Sequence, residues 1–265
     1  MLLVAAGMSL LGAAAGCESP WSDGDAASPS VVPSPAPPSG SARTFASSSG
    51  SSSAEADDEP VRRVLTDEEN KPVYELDAGR RVVALTIDDG PDPRYTPAVL
   101  ALLERYGIRA TFFLIGENVV EHAALVREIA DRGHHIGNHT WTHPDLRHMT
   151  EVAVRDELER TSDLLQRTAG RQPTWFRAPG GDWSPVSLKV TADLGMRNMA
   201  WSVDPRDWAR PGTSAITDRI LKDVRPGAIV LNHDGGGDRS QTVAAMKVYL
   251  PVLIDSGYLF TAPPN

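Results

Sequence analysis

The chain has 265 residues, of which 41% are hydrophobic, and this suits one good-sized core better than two separate domains. Its formal net charge is −9 and no run of Lys or Arg stands out, which argues against a nucleic-acid partner. The single cysteine, Cys17, excludes an intrachain disulfide and a Cys-based metal site, so any metal would need His, Asp or Glu ligands.

The first 16 residues, MLLVAAGMSLLGAAAG, form an uncharged apolar run rich in small residues. The run is shorter than the roughly 20 residues that span a bilayer, and it is similar to the apolar region of an export signal. Its end, Ala14-Ala15-Gly16-Cys17, resembles a bacterial lipoprotein signal in which Cys17 receives the lipid. An ordinary cleaved signal stays open, because no Lys or Arg precedes the run and Ala14 stands where Leu is commoner. Both interpretations predict export, and the first predicts a lipid anchor in the membrane facing the cell wall.

Residues 17–60 are dominated by Ser, Pro, Ala, Gly and Asp. Such a segment cannot bury enough apolar surface to offset its ordering entropy, so we predict a disordered tether. A tether of this length would let an anchored domain reach into the cell wall. Residues 61–78 are predicted to lead into the folded domain, which is predicted to occupy residues 79–265.

From about residue 72, short β-rich runs alternate with longer amphipathic runs. The seven predicted strands are Val82–Ile87, Ala110–Ile115, His135–His139, Thr174–Arg177, Arg197–Ser202, Ala228–Asn232 and Tyr258–Thr261. The six predicted helices lie within residues 93–107, 118–133, 150–170, 184–195, 214–224 and 242–257. Five of these runs end at a plausible C-cap glycine, namely Gly107, Gly133, Gly170, Gly195 and Gly257. The alternation predicts an α/β fold of parallel strands with helices outside.

Polar residues suited to acid–base or metal chemistry follow five of the predicted strands. They are Asp88 and Asp89, His139 and His143, Arg177, then Asp204 and Asp207 with Trp208, and finally His233. Alone, the Asp-Asp-Gly-Pro sequence after the first strand is also typical of a simple turn. Because active sites of β/α barrels lie at the C-terminal ends of the strands, five such sets together favour a catalytic site.

His139 and His143 lie four residues apart, so both imidazoles reach one metal if the loop between them coils for a turn. Two imidazoles and one carboxylate, with a fourth position open, are typical of catalytic rather than structural zinc. Adjacent residues of a strand point to opposite faces, so Asp88 and Asp89 are expected to have different roles. A nearby cation would also relieve the repulsion between the two carboxylates. A single hydrogen-bonded His near the core is the alternative that this pair leaves open.

The motifs TIDDG, H-x-x-x-H, R-x-P-x-G, D-x-x-D-W and L-x-H, in this order, resemble those of the polysaccharide deacetylases of carbohydrate esterase family 4, the NodB-homology group. The resemblance covers roughly residues 79–262 and implies a distorted (β/α)7 barrel. It implies a metal-dependent hydrolase that removes N-acetyl groups from an N-acetylglucosamine-type polysaccharide, such as peptidoglycan or a chitin-like oligomer. We expect a monomer.

Three other functions stay open. The first is an O-deacetylase similar to the acetylxylan esterases, because nothing in the motifs separates an ester from an amide. The second is a catalytically silent glycan-binding lipoprotein, against which the intact motifs argue. The third is an iron oxygenase, which uses the same set of two His and one carboxylate as ligands. Such an enzyme typically has an H-x-D/E pair and a distant His on a β-sandwich, and this sequence predicts neither.

The resemblance implies a role for each motif residue in metal binding and water activation. Asp89, His139 and His143 would hold a divalent metal, which is expected to be zinc, with cobalt as the other option. Asp88 would be the general base that takes a proton from the attacking water. Arg177 would pair with Asp88 and keep it ionised.

The resemblance further implies that His233 is the general acid that protonates the leaving amine, with Asp204 orienting His233 and raising its pKa. Trp208 and Leu231 would line the pocket for the acetyl methyl group. Gly180 replaces a commoner aromatic residue or Asn in R-x-P-x-G, and its backbone N–H would face the oxyanion. The remaining predicted substrate-binding residues are Pro179, Asp207 and Trp183; a core position for Trp183 is the alternative.

Overall fold

The structure, a computed structural model, describes residues 63–77 and 80–263. The predicted export signal, Cys17 and the whole of the predicted tether lie outside the described residues. The strands are β1 Val82–Asp88, β2 Thr111–Leu114, β3 His135–Asn138, β4 Trp175–Phe176, β5 Arg197–Asn198, β6 Ile229–His233 and β7 Leu259–Thr261. The helices are α1 Thr96–Arg105, α2 Gly116–Glu121, α3 Ala123–Asp131, α4 Glu151–Ala169, α5 Pro185–Asp193, α6 Thr213–Asp223 and α7 Ser240–Asp255. In this described part, no helix is both long and apolar enough to cross a membrane.

The predicted elements are present, with one break. The run predicted as a single helix over residues 118–133 forms α2 and α3, because His122 departs from helical geometry with φ −128° and ψ 40°. The five predicted C-cap glycines all have φ between 63° and 80°, a region that side chains disfavour. Gly170 at the end of α4 shows the consequence, since its N–H still reaches the carbonyl of Gln166.

The strands form one sheet in the order β5-β4-β3-β2-β1-β6, and β7 pairs with the start of β1. Every strand pair is parallel. Just beyond β5, Val203 bridges Val230 of β6, so the two edges of the sheet meet. The predicted α/β fold, a distorted (β/α)7 barrel, is confirmed.

Strand β1 shows how the barrel positions its active face. Val83, Leu85 and Ile87 belong to the apolar layer between the sheet and the helices, whereas Ala84 packs with Phe113 in the barrel interior. Because side chains alternate along a strand, Asp88 shares the inward face with Ala84. The alternation therefore delivers a carboxylate to the interior at the C-terminal end of β1.

Residues 63–77, which precede the barrel, lie against strand β5 and the start of β6. Val73 exchanges backbone hydrogen bonds with Asn198 and Ala200, both at 2.9 Å. Glu75 forms a bridge with Ala228. This segment thus pairs with backbone at both edges of the sheet, beside β5 and just before β6.

Candidate active site

The two adjacent carboxylates at the end of β1 point in different directions because the backbone changes conformation between them. Asp88 is the last residue of the strand, and Asp89 adopts the left-handed region with φ 71°. Such a conformation is uncommon for a residue other than glycine, and it is enriched at functional sites. Both side chains are buried, so each needs its own compensating partner.

The partner of Asp88 is Arg177, whose side chain is fully buried inside the barrel. A guanidinium nitrogen donates to the Oδ1 atom of Asp88 at 2.7 Å and to the hydroxyl of Thr86 at 2.8 Å. The other donors reach the carbonyls of Met199 and Ala200 at 3.0 and 2.9 Å. Burial lowers the pKa of Arg177 against the opposing effect of Asp88, but a guanidinium stays charged at neutral pH. Arg177 therefore lies where the sequence placed it, beside Asp88.

Asp89, His139 and His143 converge, as the sequence predicted, so that one ligand atom from each lies within 4.8 Å of the others. The Nε2 atoms of both histidines are 3.4 Å from the Oδ1 atom of Asp89. That oxygen is buried and has no hydrogen-bond partner. An unpartnered buried carboxylate oxygen facing two imidazole nitrogens is well matched to a divalent cation.

The tautomer of His139 also fits a metal ligand. Its Nδ1 atom lies 2.8 Å from the carbonyl oxygen of Arg177, which can only accept a hydrogen bond. Nδ1 therefore carries a proton, and Nε2 is directed at Asp89. Burial and the neighbouring His139 lower the pKa of His143, which favours its neutral, ligating form. Burial raises the pKa of Asp89, but the contact with His139 and the nearby His233 and His143 outweigh burial, so this carboxylate stays ionised.

The carboxylate that orients His233 is Asp207, so the prediction that Asp204 has this role is wrong. The Nδ1 atom of His233 lies 2.7 Å from Oδ1 of Asp207, and the backbone N–H of His233 donates to Oδ2 at 2.9 Å. The hydroxyl of Thr242 adds a third bond to Asp207 at 2.8 Å. Asp204 instead accepts a hydrogen bond from the backbone N–H of Arg206 at 2.7 Å. The predicted substrate contact of Asp207 is likewise corrected, since both its oxygens are occupied in the barrel wall.

The pairing with Asp207 changes the protonation of His233. Burial lowers the pKa of His233, but the hydrogen bond and charge of Asp207, with the charges of Asp89 and Asp88, outweigh it. The pKa rises to about 9, so the ring is protonated at neutral pH and can donate from Nε2.

These groups face one cavity of about 380 Å³. It is lined by Asp88, Asp89, His139, His143, Gly180, Trp201, Asp204, Trp208, Leu231 and His233. Trp208 is 53% exposed and Leu231 is buried, so an aromatic face and an aliphatic surface meet at the cavity. The pocket positions predicted for Trp208, Leu231 and Gly180 agree with this arrangement.

Trp201 lines the cavity, although it was not predicted from the sequence. The predicted fifth strand included Trp201, and Met199 packs inside the barrel, so a spacing of two residues along that run places Trp201 on the same inner face. Its ring lies against Gly181, where an added Cβ would come within 2.6 Å of the indole. The absence of a side chain at Gly181 is therefore what makes room for Trp201.

Two of the predicted substrate-binding residues lie outside the cavity wall. Trp183 packs against a small core cluster that contains Phe176 and Leu194, and its indole N–H donates to Asn198 at 3.1 Å. The core alternative for Trp183 is therefore the correct one. Pro179 is buried and opens the short 3-10 turn that presents Gly180.

Comparisons with known proteins identify the family of this chain. A family model described as polysaccharide deacetylase matches residues 75–199. A peptidoglycan-N-acetylglucosamine deacetylase of Bacillus cereus is 40% identical over 189 residues, covering 71% of this chain and 88% of that protein. A chitooligosaccharide deacetylase of Sinorhizobium fredii is 41% identical over 198 residues, covering 71% and 92%.

A solved structure matches as well. It is a peptidoglycan N-acetylglucosamine deacetylase in complex with a substituted N-oxidanyl-benzamide, with a TM-score of 0.70 and 35% identity over 72% of this chain and 90% of that one. Sequence identity of this size spans nearly the whole length of each relative, and the folds superimpose. The chain belongs to the polysaccharide deacetylases of carbohydrate esterase family 4.

Proposed function

We propose that this protein hydrolyses N-acetyl groups of an N-acetylglucosamine-containing polysaccharide with the help of a divalent metal. The observation that carries the proposal is one cavity that holds a three-ligand site, a carboxylate paired with a buried arginine, and a protonated histidine. The names of the relatives, which act on peptidoglycan or chitooligosaccharides, support the same chemistry.

Asp89, His139 and His143 would hold the metal. The unpartnered Oδ1 atom of Asp89 and the orientation of His139 support this assignment. Two nitrogens and one oxygen are a donor set that zinc accepts readily, and cobalt is the second option. Once bound, a divalent cation lowers the pKa of water and neutralises charge that develops on the carbonyl oxygen.

Asp88 is the proposed general base. Its Oδ1 atom is held by Arg177, while Oδ2 lies 3.8 Å from Nε2 of His139 and so faces the metal site. A carboxylate oxygen in this position is suited to accept a proton from the attacking water. Because the bond to Arg177 uses only one oxygen, the other is free for this transfer.

His233 is the proposed general acid, and Asp207 is its positioning residue. An amine is a poor leaving group until it is protonated, so the reaction needs a proton donor in the same cavity as the base. Nδ1 of His233 is committed to Asp207, which leaves Nε2–H for the leaving nitrogen. The cavity thus brings a proton acceptor and a protonated donor together, as acid–base catalysis requires.

The acetyl group is proposed to lie against Leu231 and Trp208, with its carbonyl oxygen near the backbone N–H of Gly180. Peptidoglycan is the proposed polymer, because the predicted export signal and tether would hold the enzyme outside the cytoplasm against the cell wall. Lipid attachment at Cys17 and a monomeric state belong to the same proposal.

Mass spectrometry of glycans before and after treatment with the zinc-loaded protein tests the proposal. Muropeptides and chitin oligomers should each lose one acetyl mass per reacting sugar, and acetylated xylan should stay intact. Loss of acetate from xylan alone would instead favour an O-deacetylase. No release from any substrate, with zinc or cobalt supplied, would refute the proposed activity.

A further inference from the structure

The loop that carries both histidine ligands has an unfavourable backbone conformation. Thr140 and His143 adopt φ values of 69° and 59°, in the left-handed region. A residue with a side chain is strained in this region, and the conformation persists only where surrounding contacts enforce it. Some part of the structure must therefore hold residues 140–143 in place.

Glu157 of helix α4 makes three of the contacts that hold this loop, and the backbone N–H groups of Gly116 and Glu117 make two more, to the carbonyls of Thr140 and Trp141. The Oε2 atom of Glu157 accepts the backbone N–H groups of Trp141 and Thr142 at 2.7 and 2.8 Å. Its Oε1 atom accepts the hydroxyl of Thr142 at 2.9 Å. Glu157 is buried, and a buried carboxylate is tolerated only when its oxygens are bonded in this way.

His143 has no comparable support of its own. Its side chain is 39% exposed, and among the described residues its ring nitrogens make no hydrogen bond to protein. His139, in contrast, is buried and fixed through Nδ1 by the carbonyl of Arg177. The direction of the His143 ring therefore depends on the backbone of residues 140–143, which Glu157 holds together with the hydrogen bond from the His143 N–H to the hydroxyl of Thr140 at 3.0 Å.

We propose that Glu157 is a positioning residue that holds residues 140–143 so that His143 completes the metal site with Asp89 and His139. The inference rests on the proposed function, because it assumes that these three residues bind a metal. Glu157 contacts neither the metal ligands' donor atoms nor the cavity, so it acts through the loop.

The test is zinc affinity, measured on the purified protein by competition with a chromophoric chelator in the absence of substrate. Outer-shell partners of metal ligands are worth about 10–100-fold in affinity, and Glu157→Ala should lose affinity in that range. Glu157→Gln should lose less, because its amide oxygen still accepts from the loop backbone. Glu159→Gln is the matched control, because Glu159 lies on the same helix, is half-exposed and pairs with Arg155 on the helix surface; this variant should bind zinc as the wild type does.

A His143→Ala background separates positioning from a general structural role. There, Glu157→Ala should lower zinc affinity no further, since the ligand that it positions is already gone. Circular dichroism checks that each variant is folded. If Glu157→Ala does not fold, the zinc affinity of Glu157→Gln serves as the test. Wild-type zinc binding with unchanged affinity in both Glu157 variants would overturn this inference alone, whereas a wild type that binds no zinc would overturn the proposed function together with it.

Discussion

Replacing Asp207 by Asn should move the alkaline limb of the pH–rate profile. Asp207 supplies the hydrogen bond to Nδ1 of His233 and its nearest negative charge, which together with Asp89 and Asp88 raise the pKa of that imidazole from 6.5 to about 9. The difference corresponds to roughly 3 kcal/mol in favour of the charged ring. With an amide in place of the carboxylate, burial lowers the pKa toward or below its ordinary value.

The expected loss follows from the protonated fraction of His233. At pH 8, a group with a pKa of about 9 is roughly 90% protonated, and one with a pKa of about 6.5 is roughly 3% protonated. Asp207→Asn should therefore lose about 30-fold in kcat/KM at pH 8 and much less at pH 6. Acetate release from a chitin oligomer, followed from pH 5 to pH 10, measures both limbs.

Asp204→Asn is the matched control, because Asp204 lies in the same loop and lines the same cavity but bonds only to the backbone of Arg206. Its profile should keep the wild-type alkaline limb. If Asp204→Asn shifted the limb and Asp207→Asn did not, the assignment of Asp207 to His233 would be wrong.

Three further predictions concern stability and the cavity wall. Arg177→Met leaves the buried carboxylate of Asp88 unpaired and should lower the free energy of unfolding by roughly 3–5 kcal/mol in chemical denaturation; a loss below about 1 kcal/mol would contradict this. Burial raises the pKa of the Asp234 carboxyl from 3.8 to about 7, so between these pH values the native state binds a proton that the unfolded chain has released. The free energy of unfolding should therefore fall as the pH rises from about 4 to about 7. Denaturation of the metal-free protein from pH 4 to pH 8 should show a smaller fall in Asp234→Asn, and equal slopes would refute it. Gly181→Ala should displace Trp201 and lower kcat/KM about 10-fold. Gly107 has a similar φ of 63° but open space around it, so Gly107→Ala should lose about 1 kcal/mol of stability, as Gly181→Ala does, and keep the wild-type kcat/KM. Equal kcat/KM values in the two variants would exclude a role for Trp201.

The strand pattern and the motif order were sufficient to predict the barrel and the convergence of its catalytic groups. Alternation of short β-rich runs and amphipathic runs has few structural solutions, and parallel strands bring their C-terminal ends to one face. Asp88, Asp89, His139, His143 and His233 meet for that reason, although they lie up to 145 positions apart in the sequence.

What the sequence did not predict depends on contacts between distant segments. Asp204 and Asp207 lie three residues apart in one loop, and the path of that loop, in which Arg206 has φ 55°, places Asp207 against His233. Glu157 is one of several acidic residues on an amphipathic helix, and no local pattern indicates that it faces the loop of His143. Trp183 carries an aromatic ring next to a predicted catalytic motif, yet its indole N–H donates a hydrogen bond to the buried Asn198 instead of facing the cavity.

The most direct test of the proposed function compares Asp88→Asn with Asp89→Asn, two neighbours with different proposed roles. Zinc affinity and acetate release from a chitin oligomer are measured on both variants and on the wild type. Asp89→Asn should lose zinc binding, whereas Asp88→Asn should keep zinc within a few-fold of the wild type and lose about 10²–10⁴-fold in kcat. Wild-type turnover by Asp88→Asn, or zinc binding that does not depend on Asp89, would contradict the division of roles on which the proposed mechanism depends.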